Sequence, residues 1–432
     1  MIDIVAVGKI LFYICMVPLI IYSLKFYVLS VSSVFVRRKG GRDAPKLATL
    51  PKVSVHIPVY NDPIVVKCIK HCLAFDYPKD KFEVIVIDDS DDGETSRAID
   101  SLKAGLESPN LKVLRRNARR GFKAGALNDA MKASMGEIIV VFDSDYKMGR
   151  DFLKKVVQPF GDGGTAFVQT RWDYLNPGKN RVSRLAMTCY NAFHQCSMPV
   201  KERIGTAIFC GTGGAIRKDV LQKAGGWNED SIGEDIDLTV RILEKGYRQA
   251  YLPYVRASGE VPVTLKAFVK QQQRWAYATT KVMKQYLGSI LASEKLTRKQ
   301  KLDLVFIVSG FLVFPFILGV SAATVMTLSA WFGPNTSGEI FNMANLARSA
   351  RLALHDFLSL EGVVLLVLSS GYIFQCIVGL AYEKRYKDIL SVPWIFIVGL
   401  VIQVTNTIAV MKALLGMKQG FYKTPKSYYR GG

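Results

Sequence analysis

Four short motifs in this 432-residue chain hold side chains whose types and spacing suit chemistry. Asp143-Ser144-Asp145 follows the apolar run Ile138 to Phe142, so two carboxylates at i and i+2 leave a buried strand together. Such a pair can meet one divalent cation, and a hard ion such as Mg2+ takes oxygen ligands and completes its shell with phosphates and water. Asp88 and Asp89 close the run Phe82 to Ile87. A carboxylate there can accept hydrogen bonds from a nucleotide base or ribose; taken alone, it more often caps a helix or turn, as the following Ser90-Asp91-Asp92-Gly93 also suggests. Gly233-Glu234-Asp235 precedes the helical pattern Ile236 to Leu243. Acids are favoured at a helix N-terminus by its dipole; the chemical alternative is a general base that takes the proton of an acceptor hydroxyl. Gln271, Arg274 and Trp275 stand at i, i+3 and i+4, on one helix face. Arg can fork onto a diphosphate and Trp offers a flat face to a sugar ring, although Arg and Trp are also ordinary residues at a membrane surface.

Two glycine-punctuated stretches lie between these motifs. Gly121 to Asn128, reading Gly-Phe-Lys-Ala-Gly-Ala-Leu-Asn, is basic and opens a helix, with Arg115, Arg116, Arg119 and Arg120 just before it. It could hold phosphate, but it lacks the spacing and the Lys-Ser/Thr end of a Walker loop. Gly211-Thr212-Gly213-Gly214 is a second close-approach loop. Cys68, His71 and Cys72 share a helix face without an evident fourth ligand, and read as packing rather than as a zinc site. The seven cysteines have no spacing that suggests a disulfide framework, which fits a reducing compartment.

The elements that must position these groups alternate. Strand candidates are Val53 to Ile57, Phe82 to Ile87, Leu111 to Leu114, Ile138 to Phe142 and Ala166 to Thr170, with helical patterns such as Ile64 to Leu73 and Ala124 to Met135 between them. This order implies an α/β domain with a mainly parallel sheet covered on both faces. Ligands bind such sheets beyond the carboxyl ends of the strands, where the acidic motifs fall.

The chain around this domain is apolar. Ile10 to Leu24 continues past Lys25 through Val36; Leu304 to Phe332, Gly362 to Tyr382 and Ile389 to Met411 carry no charge. Each is long enough to span a bilayer, which needs about 20 residues. The formal net charge of +21 includes basic clusters beside these runs, Arg37, Arg38, Lys39 and Arg42 after the first and Lys295, Arg298, Lys299 and Lys301 before the second. That placement favours membrane attachment with the middle domain in the cytoplasm; nucleic-acid binding is not expected. Four crossings would leave the basic tail, Lys412 to Arg430, outside, against the same charge rule. A further crossing within Ile340 to Leu360 or a re-entrant segment would resolve this, and the triplet Asn335-Thr336-Ser337 falls in the loop placed outside. Thr264 to Leu287 repeats apolar residues at helical spacing with Lys266, Lys270, Lys281 and Lys284 on other faces, the pattern of an interfacial amphipathic helix or of a helix packed on the domain. The expected organisation is therefore residues 1–44 as a transmembrane helix with its basic flank, 45–263 as the catalytic domain, 264–302 as the amphipathic segment, and 303–432 as a region of three or four spans with a basic tail.

In this order and with these spacings the motifs resemble family 2 glycosyltransferases, especially the cellulose-synthase-like branch, whose recurring elements are an early Asp pair, a D-x-D, a T/G-E-D and a Q-x-x-R-W. Lys-Ala-Gly-Ala-Leu-Asn at 123–128 looks like that family too. Val168-Gln169-Thr170-Arg171-Trp172 and Ala224-Gly225-Gly226-Trp227 are similar to plant mannan and glucomannan synthases and related β-glucan synthases. The resemblance covers about residues 51 to 290. It departs at Gly233, where Thr is frequent, and in the absence of the long insertions of full cellulose synthases, so it implies sugar transfer more directly than processive synthesis.

The resemblance implies a GT-A-like domain inserted between transmembrane helices, and an inverting transfer of a hexose from a UDP- or GDP-sugar to a growing β-linked polysaccharide. Asp88 and Asp89 would then hold the nucleoside, and Asp143 with Asp145 would bind Mg2+ or Mn2+ at the diphosphate. Lys123 and Arg274 would neutralise the leaving group, Asp235 with Glu234 would act as base, and Trp275 with Gln271 would floor the acceptor site. Two rivals stand beside this reading: a single-sugar transferase acting on a lipid or polyprenyl phosphate, distinguished by counting sugars per acceptor, and a non-catalytic membrane scaffold that kept the fold, distinguished by inactivity on every donor.

Overall fold

The structure is a computed structural model that describes residues 4–38, 47–106, 108–331 and 360–420. The triplet at Asn335, all but the last residue of the candidate crossing within 340–360, and most of the basic tail lie outside the described residues.

Strands β1 (Val53–Val59), β2 (Phe82–Asp88), β3 (Leu111–Arg115), β4 (Ile138–Val141), β5 (Lys147–Met148), β6 (Thr165–Tyr174), β7 (Gly214–Arg217) and β8 (Arg248–Gly259) form one sheet in the order β3-β2-β1-β4-β7-β6-β8-β5. The block β3-β2-β1-β4 is parallel, as expected from the alternation of apolar runs and helices. In the other half β6 and β8 are also parallel, while β7 runs antiparallel to both β4 and β6, and β5 antiparallel to β8, so the sheet is mixed but mainly parallel. The reason is local. The loop before β7 delivers the chain at the carboxyl end of β4, where Gly214 pairs with Val141, and β7 must run back from there.

Side chains alternate between the sheet faces. Val53, Val55, Ile57 and Val59 pack with Val65, Cys68, Ile69 and Cys72 of the helix Val65–Leu73 on one face. Ile139 and Val141 pack with Leu127, Trp227 and Leu238 on the other. Cys68 and Cys72 thus sit in the core as small apolar groups. Each fully buried Val or Ile contributes roughly 1.5–3 kcal/mol. Chain order reverses between β1 and β4, with β2 and β3 to one side and β4 to the other. The crevice at that switch point is where α/β sheets bind ligands.

Among the described residues, three helices are long and apolar enough to cross a membrane, Ile4–Arg37, Gly310–Thr327 and Pro393–Leu414. Two of the uncharged runs are broken. Leu304 to Val308 belong to a separate helix, Arg298–Val308, and a 3-10 turn, Gly310–Leu312, precedes the helix Val313–Trp331. The run Gly362 to Tyr382 is bent by 51° between Gly362–Ser369 and Gly371–Tyr382, a broken span or a re-entrant pair. The bend falls at a Ser-Gly step, a common site of helix kinks. There the N-terminal helix comes so close that Ser23 Oγ accepts the Gly371 N–H at 2.7 Å, and a Cβ on Gly371 would stand 2.1 Å from Ser23 O.

The long helix Leu265–Ala292 is covered by protein along its apolar side. Val282, Met283 and Ile290 pack with Val240, Leu243 and Leu304, while Ala276 and Tyr277 meet Ala409, Val410 and Ala413 of the last apolar helix. It forms the seam between the sheet domain and the apolar helices.

Candidate active site

Two of the four sequence motifs meet at one ammonium group. Lys123 comes from the first turn of the helix Phe122–Ala133, entered through Gly121 in the left-handed region at φ +65°. A Cβ on Gly121 would also stand 2.7 Å from Glu229 Oε2, so glycine suits the position twice over. The Lys123 ammonium donates to Asp143 Oδ1 at 2.7 Å and to Gly211 O at 3.0 Å, and stands 3.8 Å from Glu234 Oε1. Asp143 lies just past β4, and its N–H donates to Thr212 Oγ1 at 3.0 Å. One cation therefore links the D-x-D motif, the E-D motif and the glycine loop between them.

The two carboxylates of the D-x-D motif have different surroundings. The Asp143 side chain is 37% exposed, whereas Asp145 is buried and its Oδ2 accepts the Glu260 N–H at 2.7 Å, pinning the chain that leaves β8. Among the described residues, no group of three or more His, Cys, Asp or Glu side chains gathers into a metal site by itself. Asp143 and Asp145 supply only hard oxygen donors, which fits Mg2+ or Mn2+ when substrate phosphates and water complete the shell.

Glu234 and Asp235 open the helix Glu234–Glu244. Burial pushes the Glu234 carboxyl up to about 7, with Lys123 pulling it down and Asp235 adding to the rise. Burial also raises Asp235, against its hydrogen bond from the Ile236 N–H, 2.8 Å long, and the charges of Lys123 and Arg274. The same acids, with Asp143, hold the Lys123 ammonium above its ordinary value despite the burial that opposes its charge. Gly233, the departure from the usual Thr, has a steric counterpart: a Cβ there would approach Ala278 Cβ of the long helix to 3.0 Å.

Arg274 thus acts on both acids of the E-D motif through its charge. Its neighbours Gln271 and Trp275 converge on Tyr190 of the helix Arg181–Ala192: the Tyr190 hydroxyl donates to Gln271 Oε1, and the Trp275 ring lies 5.5 Å from the Tyr190 ring. Nothing in the sequence around Tyr190 signalled this.

Asp88 and Asp89 stand at the carboxyl end of β2 with partners of their own. Asp88 accepts from Ser96 Oγ at 2.6 Å, Ser90 N at 3.1 Å and Arg115 Nε at 3.1 Å. Burial works against its charge, but these bonds outweigh it and hold the carboxyl below its ordinary value. Both Asp89 oxygens accept from one edge of the half-buried Arg116 guanidinium, Oδ1 from Nε at 2.8 Å and Oδ2 from Nη2 at 2.5 Å. Arg119 lies 3.5 Å over the Tyr60 ring, and Arg120 lies 3.4 Å from Glu229. The basic residues before the glycine loop thus have protein partners of their own.

Residues 51–278 match glycosyltransferase-like family 2. The chain is 29% identical over 299 residues to glucomannan 4-beta-mannosyltransferase 7 of Arabidopsis thaliana, an alignment that takes in 65% of this chain and 53% of that protein. It is 32% identical over 276 residues to probable glucomannan 4-beta-mannosyltransferase 7 of Oryza sativa subsp. japonica, over 61% of this chain and 46% of that one. The chain spans about half the length of the curated relatives it matches. Among solved structures, the mannosyltransferase PcManGT from Pyrobaculum calidifontis, in complex with GDP-Man and Mn2+, superposes with a TM-score of 0.57 at 22% identity, over 85% of this chain and 98% of that chain. The mixed sheet is thus GT-A-like. With its D-x-D and E-D motifs gathered around Lys123 and its matched segment covering more than half of its length, this chain belongs to glycosyltransferase-like family 2.

Proposed function

We propose that the protein is a membrane-bound inverting glycosyltransferase that moves a hexose from a UDP- or GDP-sugar to a growing β-linked polysaccharide, with the sheet domain in the cytoplasm. The observation that carries this reading is the convergence of Asp143, Gly211 and Glu234 on Lys123 at the sheet's switch point, 2.7, 3.0 and 3.8 Å away. The relatives named as glucomannan mannosyltransferases and the fold neighbour bound to GDP-Man and Mn2+ support a hexose donor and a polysaccharide acceptor. The three long apolar helices, and the basic residues beside the first of them, support the membrane placement.

Asp143 and Asp145 would hold the divalent ion, whose chemistry is to neutralise the donor's diphosphate. Lys123 and Arg274 add fixed positive charge beside the leaving phosphate, the preorganised electrostatic help that often dominates catalysis. Asp235 takes the proton of the acceptor hydroxyl as its oxygen bonds to the anomeric carbon and the carbon–phosphate oxygen bond breaks. Asp88 and Asp89 line the nucleoside side, their carboxylates fixed by Ser96, Ser90, Arg115 and Arg116. Gln271 and Trp275 present the acceptor side, ordered by Tyr190.

A base must be ionised to work, and both acids of the E-D motif are raised, so rate is lost as pH falls through their shared titration. The acid limb of kcat/KM is expected near neutrality, around the value of about 7 toward which Glu234 is pushed. A profile flat down to about pH 5, near the ordinary carboxylate range, would remove Glu234 and Asp235 from the proton transfer.

A further inference from the structure

Four consecutive residues of β6, Gln169 to Trp172, connect the glycine loop before β7 to the apolar helices. Gln169, fully buried, turns its carboxamide toward the loop Cys210–Gly213: Oε1 accepts the Cys210 N–H at 2.8 Å, and Nε2 lies 3.1 Å from Thr212 O and 3.3 Å from Gly213 O, as well as 3.0 Å from Thr170 O of β6. Thr170 Oγ1 donates to Gly213 O at 2.6 Å, and Trp172 Nε1 donates to Thr212 O at 3.2 Å. This loop has reason to be gripped. Gly211 and Gly213 both occupy the left-handed region, at φ +73° and +64°, where glycine carries the largest loss of chain freedom. It also presents Gly211 O to Lys123 and Thr212 Oγ1 to the Asp143 N–H.

Arg171, between those residues, turns elsewhere. Its guanidinium donates to Glu383 at 2.7 Å, with the two side chains 8% and 18% exposed. Glu383 directly follows the apolar helix Gly371–Tyr382 and also accepts from Gln195 Nε2. Gln195 lies in the π-helical turn Phe193–Ser197, a form that recurs at functional sites. The Gln195 carbonyl accepts from Arg37 at the end of the N-terminal helix, at 3.1 Å, and the Arg37 guanidinium lies 3.8 Å over the Tyr382 ring. Removing one partner of such a buried, hydrogen-bonded ion pair leaves the other charge uncompensated.

We propose that Gln169 and Trp172 are positioning residues that set Thr212, and through it Asp143, and that the Arg171–Glu383 pair fastens this strand segment to the N-terminal and Gly371–Tyr382 helices. The part played by Asp143 rests on the glycosyltransferase reading; the fastening of the loop does not.

The test uses the full chain in detergent or lipid nanodiscs, with hydrogen–deuterium exchange read on peptides spanning 208–214 and sugar transfer read in parallel. In Trp172→Phe, which removes one N–H and keeps a ring, and in Glu383→Gln, exchange in 208–214 is expected to rise by roughly 3- to 10-fold, the scale of one lost hydrogen bond. Exchange in the helix Phe122–Ala133 should stay unchanged. The kcat should fall by a similar factor with the donor KM nearly constant. Wild-type exchange of the loop in folded Glu383→Gln overturns the fastening, and wild-type exchange in Trp172→Phe overturns the positioning. Should Glu383→Gln fail to fold, Trp172→Phe still decides whether the loop depends on β6. Faster exchange in both variants, with no transfer by the wild type from any donor, would sink the glycosyltransferase reading and leave this inference standing.

Discussion

Asp235→Asn is expected to lower sugar transfer by about 10²- to 10⁴-fold, the usual contribution of a positioned general base, while nucleotide-sugar binding persists. The substitution is nearly isosteric, and an Asn Oδ1 can keep the hydrogen bond from the Ile236 N–H that orients Asp235. What disappears is the acceptor of the proton. The charge of Asp235 is one reason the neighbouring Glu234 is raised, so in the variant Glu234 ionises at lower pH and residual activity should show an acid limb displaced downward. Donor binding measured calorimetrically beside single-turnover transfer separates the two effects. Normal turnover in Asp235→Asn would end its assignment as the base.

The largest expected loss of stability comes from a site away from the chemistry. Lys201, on the helix Met198–Ile204, and Asp303, on the helix Arg298–Val308, form an ion pair at 2.7 Å with side chains 4% and 8% exposed. Thr206 Oγ1 donates to the same carboxylate at 2.5 Å. Asp303→Ala leaves the ammonium buried without its counter-ion, a change that costs about 3–5 kcal/mol. The pair joins the sheet domain to the helix that leads into the second long apolar segment, so loosening is expected there first. Lys201→Met combined with Asp303→Leu should recover most of the loss, because it removes both charges and keeps the volume. Thermal unfolding of the three proteins in one detergent checks this; a loss below about 1 kcal/mol in Asp303→Ala, the scale of an exposed pair, would show that water reaches Lys201.

The parts of the fold that rest on local patterning were legible in the sequence. β4 is a continuous apolar run, β1 and β2 are largely apolar, and the sequence places each to within two residues at either end. β8 was hidden because its 12 residues include Arg248, Pro253 and Arg256 and do not alternate cleanly, while β7 and β5 are too short to carry a period. The apolar runs were counted by their lack of charge, which takes no account of the Ser309-Gly310 and Ser370-Gly371 breaks that close packing exploits.

At the site, the acidic motifs could be named from spacing, but not the meeting of Asp143 and Glu234 on Lys123, which brings together residues about 20 and 110 positions apart. Nor could spacing show that Asp88 and Asp89 are already bound by Ser96, Arg115 and Arg116, or that Tyr190 orders Gln271 and Trp275. These are long-range pairings between polar side chains, and they leave no periodic trace.

The most direct test of sugar transfer is nucleotide release by the full chain, purified in detergent and also in native membranes. UDP-glucose, UDP-N-acetylglucosamine, UDP-galactose and GDP-mannose would each be supplied with Mg2+ or Mn2+. Release from one donor, dependent on the metal and abolished in Asp145→Ala and Asp143→Ala, is the predicted result. No release from any donor in either preparation, or release that survives both substitutions, would contradict it.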